Sequence, residues 1–286
     1  MKLYAISDLH LDHKINRDAF ESLPSFPEDW LILGGDISPS LEVFRWSLNK
    51  MTNCFKKVIW VPGNHDLWTD PNETKGSGEE KYLKMVSICR NRGVITPEDP
   101  YPLWPGKGGP QYLVPLFLLY DYTFRPDSVS YKEAIKWAGE KGVFCTDEKY
   151  LDSTPYPSNS HWCHARCEYS KERINELSKG IPLILINHFP LRQDLIRLFL
   201  IPRFCIWCGT VITENWHKMA EVSTVVYGHL HMRATDYRDG VRFEEVSLGY
   251  PRNWKQANGI QHYLYQILPE IKVRSKMKNG GPYWRF

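Results

Sequence analysis

Five times along this chain a short hydrophobic run ends in Asp, Asn or His. The fullest case is Val58-Ile59-Trp60-Val61, which passes through Pro62 into Gly63-Asn64-His65-Asp66. An apolar run of strand length closed by Pro and Gly reads as a buried strand that stops and hands polar residues to a loop. Tyr4-Ala5-Ile6-Ser7 leads in the same way into Asp8-Leu9-His10, and Leu31-Ile32-Leu33-Gly34-Gly35 into Asp36. Leu183-Ile184-Leu185-Ile186 leads into Asn187-His188, and Val225-Val226-Tyr227 into Gly228-His229-Leu230-His231. Such repetition leaves few folds open. It predicts buried strands in an α/β protein, with one site at the strand ends.

The segments between these runs fit that plan. Strands are expected at 2–7, 30–34, 57–61, 182–186 and 223–227. Pro39 opens a helix to about residue 49, with Val43, Phe44 and Leu48 at helical spacing. Further helices are expected at 79–92, 130–142, 161–179 and 213–221, the last capped by Thr213. Residues 69–79 read as a loop, and the Pro- and Gly-dense stretch 97–110 as irregular. An apolar and aromatic run returns at 114–122. Asp239-Gly240 between 232–237 and 241–247 signals a hairpin, with a last strand at 263–268. The tail 272–286 is basic around Gly280-Gly281. His13 follows the first turn rather than ending a strand, so it is expected at the surface or behind the site.

Composition narrows the class. With 286 residues, 42% hydrophobic and 24% charged, the chain can bury a full core as an ordinary globular protein. A net charge of +3 is too small to imply a nucleic-acid partner. No apolar run reaches the roughly 18 residues of a membrane span. The first residues enter a strand with no apolar leader, which predicts a cytoplasmic location. Seven Cys and eleven Trp are present. Cys163, Cys167, Cys205 and Cys208 could be arranged around zinc, but Phe204-Cys205-Ile206-Trp207-Cys208 reads as core, with reduced thiols.

The strand ends carry the chemistry. Asp8, His10, Asp36, Asn64, His65, His188, His229 and His231 mix carboxylate, amide and imidazole, a donor set suited to Mn, Fe or Zn rather than Ca. Two metals roughly 3.5–4 Å apart need a shared ligand. Asp36, held in the Gly34-Gly35 turn, is the natural bridge because its two oxygens can face two cations. A lone His is ordinarily a core or surface residue, and a lone Asp after Gly-Gly an ordinary turn. Five of the ten His falling at strand ends favours the ligand reading.

Taken in order, D-x-H, G-G-D, G-N-H-D, N-H and G-H-x-H resemble the calcineurin-like metallophosphoesterase superfamily. That resemblance implies a four-layer α/β/β/α sandwich of two β-sheets flanked by helices. It implies two divalent or trivalent transition-metal ions, the first on Asp8, His10, Asp36 and His231, the second on Asp36, Asn64, His188 and His229. A hydroxide held between them would attack phosphorus in line with the leaving oxygen. His65 would face the phosphoryl group, donating a proton when charged, and Asp66 would orient His65. A narrower resemblance rests on 114–122, Trp162-Cys163-His164, Asn187-His188-Phe189-Pro190-Leu191, Trp207-Cys208-Gly209-Thr210 and 239–251. These are similar to the branch of that superfamily that includes a phosphopantetheinyl hydrolase, where Glu often stands at the position of Asp66.

The whole chain, 1–286, is expected to be one domain. The long stretch between Asp66 and His188 exceeds a single crossover helix and predicts a cap-like insertion at about 69–180 beside the site. Trp162 and His164 within it, and Trp207 beyond it, are the candidates for substrate contact, against a purely structural role for the same aromatics. The expected activity is hydrolysis of a phosphate ester, with removal of 4'-phosphopantetheine from a holo carrier protein the leading reading. A phosphomonoesterase acting on a small metabolite or nucleotide, a nuclease, and a non-catalytic scaffold are the alternatives.

Overall fold

The computed structural model describes residues 1–69, 76–271 and 282–285. The loop expected at 69–79 and the basic tail at 272–286 therefore fall largely outside the described residues. Four strands, β1 (Leu3–Ile6), β2 (Phe26–Leu33), β3 (Phe55–Trp60) and the late β10 (Tyr265–Leu268), form one sheet in the order β10-β1-β2-β3. β1, β2 and β3 run parallel, and β10 closes the edge antiparallel to β1. The second sheet takes β4 (Leu103–Trp104), β5 (Gln111–Pro115), β6 (Leu183–Ile186), β7 (Val222–Tyr227), β8 (Ala234–Arg238), β9 (Val241–Glu245) and β11 (Tyr283–Trp284). Its order is β11-β8-β9-β7-β6-β5-β4, with β5, β6, β7 and β9 parallel.

Alternation along the strands builds the layers. Leu3, Ala5, Ile32 and Ile59 of one sheet meet Leu113, Ile184, Ile186 and Val226 of the other in a buried layer between them. The intervening residues Leu31, Leu33, Val58 and Trp60 point outward, packing with Phe44, Leu48 and Met51 of α2 (Leu41–Cys54). On the far side, Val114, Leu185 and Val225 share a core with Trp162, Cys163 and Cys167 of α7 (Asn159–Asn175). Both faces of each sheet are thus covered, giving the expected two-sheet sandwich. Each fully buried Ile or Leu in these layers stabilises by roughly 1.5–3 kcal/mol relative to leaving it exposed.

Several local expectations change. Helix α1 (Lys14–Glu21) begins inside the polar segment after His13 and buries only Asn16 and Phe20, which leaves little apolar periodicity to read. β4 lies within the stretch expected to be irregular, paired antiparallel with Gln111 and Tyr112. The helix expected at 130–142 is a 3₁₀ turn, Tyr131–Glu133, followed by a short α5 (Ala134–Gly139). The helix expected at 213–221 is absent. The Thr213 hydroxyl donates to the carbonyl of Leu191 at 2.8 Å instead of capping, and the segment is two 3₁₀ turns, Val211–Thr213 and Trp216–Lys218. Among the described residues no helix is long and apolar enough to cross a membrane.

The two sheets join at the ends of their strands. Ser7, just past β1, pairs with Ser247 just past β9, and the amide of Leu248 donates to the Ser7 carbonyl at 2.8 Å. That seam sets the loops after β1, β2 and β3 against those after β6, β7 and β9.

Candidate metal centre

The loops after β1, β2 and β7 turn sharply. Asp8, His10, Asp36, His229 and His231 all hold positive φ, between 43° and 70°. Non-glycine residues avoid that region, and clusters of such conformers mark places where surrounding structure imposes a geometry. Here a web of backbone bonds imposes it. The amide of Asp8 donates to Gly35 at 2.9 Å, that of His10 to Asp36 at 3.0 Å and that of Gly228 to His188 at 2.9 Å. Gly63 has no room for a side chain, since a Cβ there would sit 2.1 Å from Asp36 Oδ1.

The side chains converge below this web. Asp8 Oδ1 lies 3.1 Å from His231 Nε2, and His10 Nε2 lies 3.2 Å from His231 Nε2. Asp36 Oδ2 lies 4.0 Å from His10 Nε2, 3.5 Å from His188 Nε2 and 3.9 Å from His65 Nε2. Three sets of donor atoms fall within 4.8 Å of one another: Asp8, His10 and His231; Asp8, Asp36 and His188; His10, Asp36 and His65. Asn64 Oδ1 is 3.2 Å from His188 Nε2. His188 Nδ1 donates to the Gly34 carbonyl at 2.8 Å, which fixes the tautomer and turns the free lone pair of Nε2 to the cluster. His229 Nε2 is buried with no hydrogen-bond partner among the described residues, which suits a metal ligand. The donor set and its orientation fit transition-metal ions.

Charge points the same way. Burial, then the neighbouring carboxylates Asp8 and Asp66, push the Asp36 carboxyl well above its ordinary range. Burial also opposes the charge of Asp8, but His231 and His188 hold it well below. Burial drives His10 and His229 well down, so both are neutral donors. Burial and then His188 lower His65 to about 3. That ring is therefore neutral at physiological pH, where the proton-donor role expected from sequence called for a charged one.

Asp66 sits differently from the expectation that it orients His65. Its oxygens accept the amides of Asp36 (3.0 Å), Ile37 (2.8 Å), Ser38 (3.1 Å) and Gly63 (3.0 Å). It ties the turn that carries Asp36 to the start of α3 (Asn64–Leu67), a single helical turn where the sequence predicted a loop. The His65 ring is stacked instead on Trp68, 3.6 Å between centroids.

A cavity of about 330 Å³ opens over the cluster, walled by Asp36, Asn64, His65, His229 and His231 on one side and by Phe144, Asp147, Phe204, Tyr250 and Arg252 among others. The expected substrate contacts His164, Trp162 and Trp207 are not part of that wall. Trp162 and Trp207 are fully buried, the first packed edge-on to Phe117 and the second donating from Nε1 to Glu148 Oε1 at 2.6 Å. His164 is half exposed and bonds Asp121 at 2.9 Å. The cysteines weighed as a zinc site are free, and the Cys205 and Cys208 thiols donate to the carbonyls of Phe124 and Phe204.

Other residues at the site carry no signal in the sequence. Asp147, fully buried at the start of the short α6 (Asp147–Tyr150), accepts from Asn64 Nδ2 at 2.9 Å and from Trp68 Nε1 at 2.6 Å. The bond fixes which end of the Asn64 amide faces His188, so Oδ1 is presented to the cluster. Tyr250 stacks on His10 at 4.3 Å and meets His231 edge-on at 4.9 Å. Its segment, Gly249-Tyr250-Pro251, belonged to the narrower resemblance, but nothing in its spacing marked the Tyr as lining the site.

A family model for the calcineurin-like phosphoesterases matches residues 1–233, and the chain belongs to that family of metal-dependent phosphohydrolases. It is 46% identical over 273 residues to the acyl-carrier-protein phosphodiesterase PptH of Mycobacterium tuberculosis (strain ATCC 25618 / H37Rv), covering 94% of this chain and 83% of that protein. The crystal structure of phosphopantetheinyl hydrolase (PptH) from Mycobacterium tuberculosis superposes with a TM-score of 0.90 at 44% identity, covering 96% of this chain and 98% of the other.

Proposed function

We propose that this chain is a binuclear metal phosphodiesterase that removes 4'-phosphopantetheine from holo carrier proteins. The observation that carries this reading is the 46% identity, over nearly the whole chain, to a protein named as an acyl-carrier-protein phosphodiesterase. In this reading Asp8, His10, Asp36 and His231 hold one ion and Asp36, Asn64, His188 and His229 the other, with Mn, Fe or Zn the candidates. Bound there, the ions supply a nucleophile at neutral pH and offset negative charge on the phosphoryl oxygens.

The protein's own residues position the ester. His65, neutral, donates a hydrogen bond to a phosphoryl oxygen while the stacked Trp68 holds its ring in place. Arg252 lines the same cavity with its guanidinium 5.7 Å above the Tyr250 ring, and no carboxylate pairs with it among the described residues. It is suited to meet the anionic arm. The chain works as one unit over 1–286, and the 69–180 stretch contributes Phe144, Cys145, Thr146 and Asp147 to the cavity wall. Seven free thiols suit the reducing cytoplasm.

The test is turnover with Mn of a purified holo acyl carrier protein, followed by loss of the arm in intact-protein mass, beside a panel of phosphomonoesters and nucleotides. Release of 4'-phosphopantetheine at rates well above any monoester supports the reading. Hydrolysis confined to monoesters replaces it with the phosphatase alternative.

A further inference from the structure

The mouth of the cavity carries a ledge of apolar side chains that the fold does not bury. Leu200 is 96% exposed, Phe199 80%, Phe144 75% and Ile201 44%. Soluble proteins seldom leave so many large apolar groups together in water unless something docks there. The ledge is continuous with the site, because Phe144 and Ile201 also line the cavity, as does Phe204, whose ring lies 6.0 Å from that of His229. It is also held in place. Arg203 bonds the Trp137 carbonyl, packs over its ring at 4.6 Å and pairs with Glu140 at 3.0 Å, tying Pro202–Trp207 to α5.

We propose that this ledge is the docking surface for the folded carrier protein. The inference rests on the phosphodiesterase reading above. In a diester of a carrier protein, one ester oxygen is a side-chain hydroxyl oxygen of the carrier itself. The scissile phosphorus is then only a few bonds from the carrier backbone. It cannot reach a cluster as deeply buried as Asp36 and His188 unless the carrier's surface is pressed against the rim of the cavity. The rim's exposed side chains are apolar on the side of Phe144 and residues 199–201, so the ledge meets an apolar patch next to the modified residue, in the manner of a water-excluding interface core. A small diester would enter without touching Phe199 or Leu200, neither of which lines the cavity.

The experiment compares the metal-loaded wild type with Phe199→Ser/Leu200→Ser on holo acyl carrier protein and on bis(p-nitrophenyl) phosphate. The expected result is a kcat/KM at least ten-fold lower on the carrier, mostly through KM, with the small diester within two-fold of wild type. Equal carrier turnover in both proteins overturns the docking inference and leaves the phosphodiesterase reading standing. A wild type that turns over the small diester but never the carrier overturns that reading and the docking inference together. Equal carrier turnover with a change from dimer to monomer in sedimentation would reassign the ledge to contact between copies of this chain.

Discussion

At the scale of the residue, the site depends on where single carboxylates place their oxygens. Asp36 stands within 4.0 Å of His10, His65 and His188, so it touches both proposed ion positions. Asp36→Asn should lose both metals and activity together in metal analysis and turnover, and retention of two tightly bound ions would exclude a bridging role. Asp66 accepts amides on both oxygens, and an amide can accept on only one. Asp66→Asn should therefore leave buried N–H groups unpaired, lower stability by about 2–4 kcal/mol in urea melts and weaken metal retention. His65→Asn should behave oppositely, keeping both metals and its melting temperature while turnover falls roughly 10²–10³-fold, as for loss of one preorganised donor to the phosphoryl group. If Asp66→Asn kept its stability and metals and lost only turnover, the role of orienting His65 would be restored.

At the scale of the element, what could be read from sequence follows from what each element asks of its residues. The C-terminal halves of the parallel strands β1, β2, β3, β6 and β7 are buried on both faces, so each announces itself as a short apolar run, and Asp8, Asp36 and His188 stand out where the run ends. α1 and α6 are the reverse. One is eight residues long and buries only Asn16 and Phe20, and the other is four residues long, so neither is long enough to show a helix-length stripe. Asp147 was invisible for the same reason, because its importance lies in contact with Asn64, 83 positions away. Pocket walls and second neighbours of ligands are made by tertiary approach, which no local pattern encodes. Asp147 gives this scale its own prediction. Asp147→Ala frees the Asn64 amide to rotate and should lower occupancy of the second ion about 10–100-fold in metal titrations. Asp147→Asn retains an acceptor oxygen and should restore most of it. Equal occupancy in the two variants would mean that Asn64 is held by other contacts.

At the scale of the whole molecule, the proposed ligands are divided between the sheets. Asp8, His10, Asp36 and Asn64 follow strands of the four-stranded sheet, and His188, His229 and His231 follow strands of the seven-stranded one. Ions bound among them would fasten the two sheets at the seam where Ser7 meets Ser247. A ligand that binds only the folded state at 100 times its Kd adds about 2.7 kcal/mol, so chelation should lower the melting temperature by several degrees as well as abolish turnover. The gap should depend on pH. In the metal-free protein Asp36 is raised by burial and by the charges of Asp8 and Asp66. A raised carboxyl holds its proton in the folded state after the unfolded chain has released it, so its contribution to stability falls as pH rises above the ordinary carboxylate value, about 4. A bound cation requires the ionised form and relieves that repulsion. His10 and His229 are already neutral and have no proton to release, whereas His231, opposed by burial but held above its ordinary value by Asp8, gives up a proton alongside Asp36. The difference in melting temperature between metal-loaded and chelated protein should therefore widen from pH 5 to pH 7.5, with turnover after Mn is restored recovering fully only at the higher pH. A gap that stays constant, or narrows, across that range would show that no carboxyl proton is displaced on binding and would remove Asp36 from the bridge.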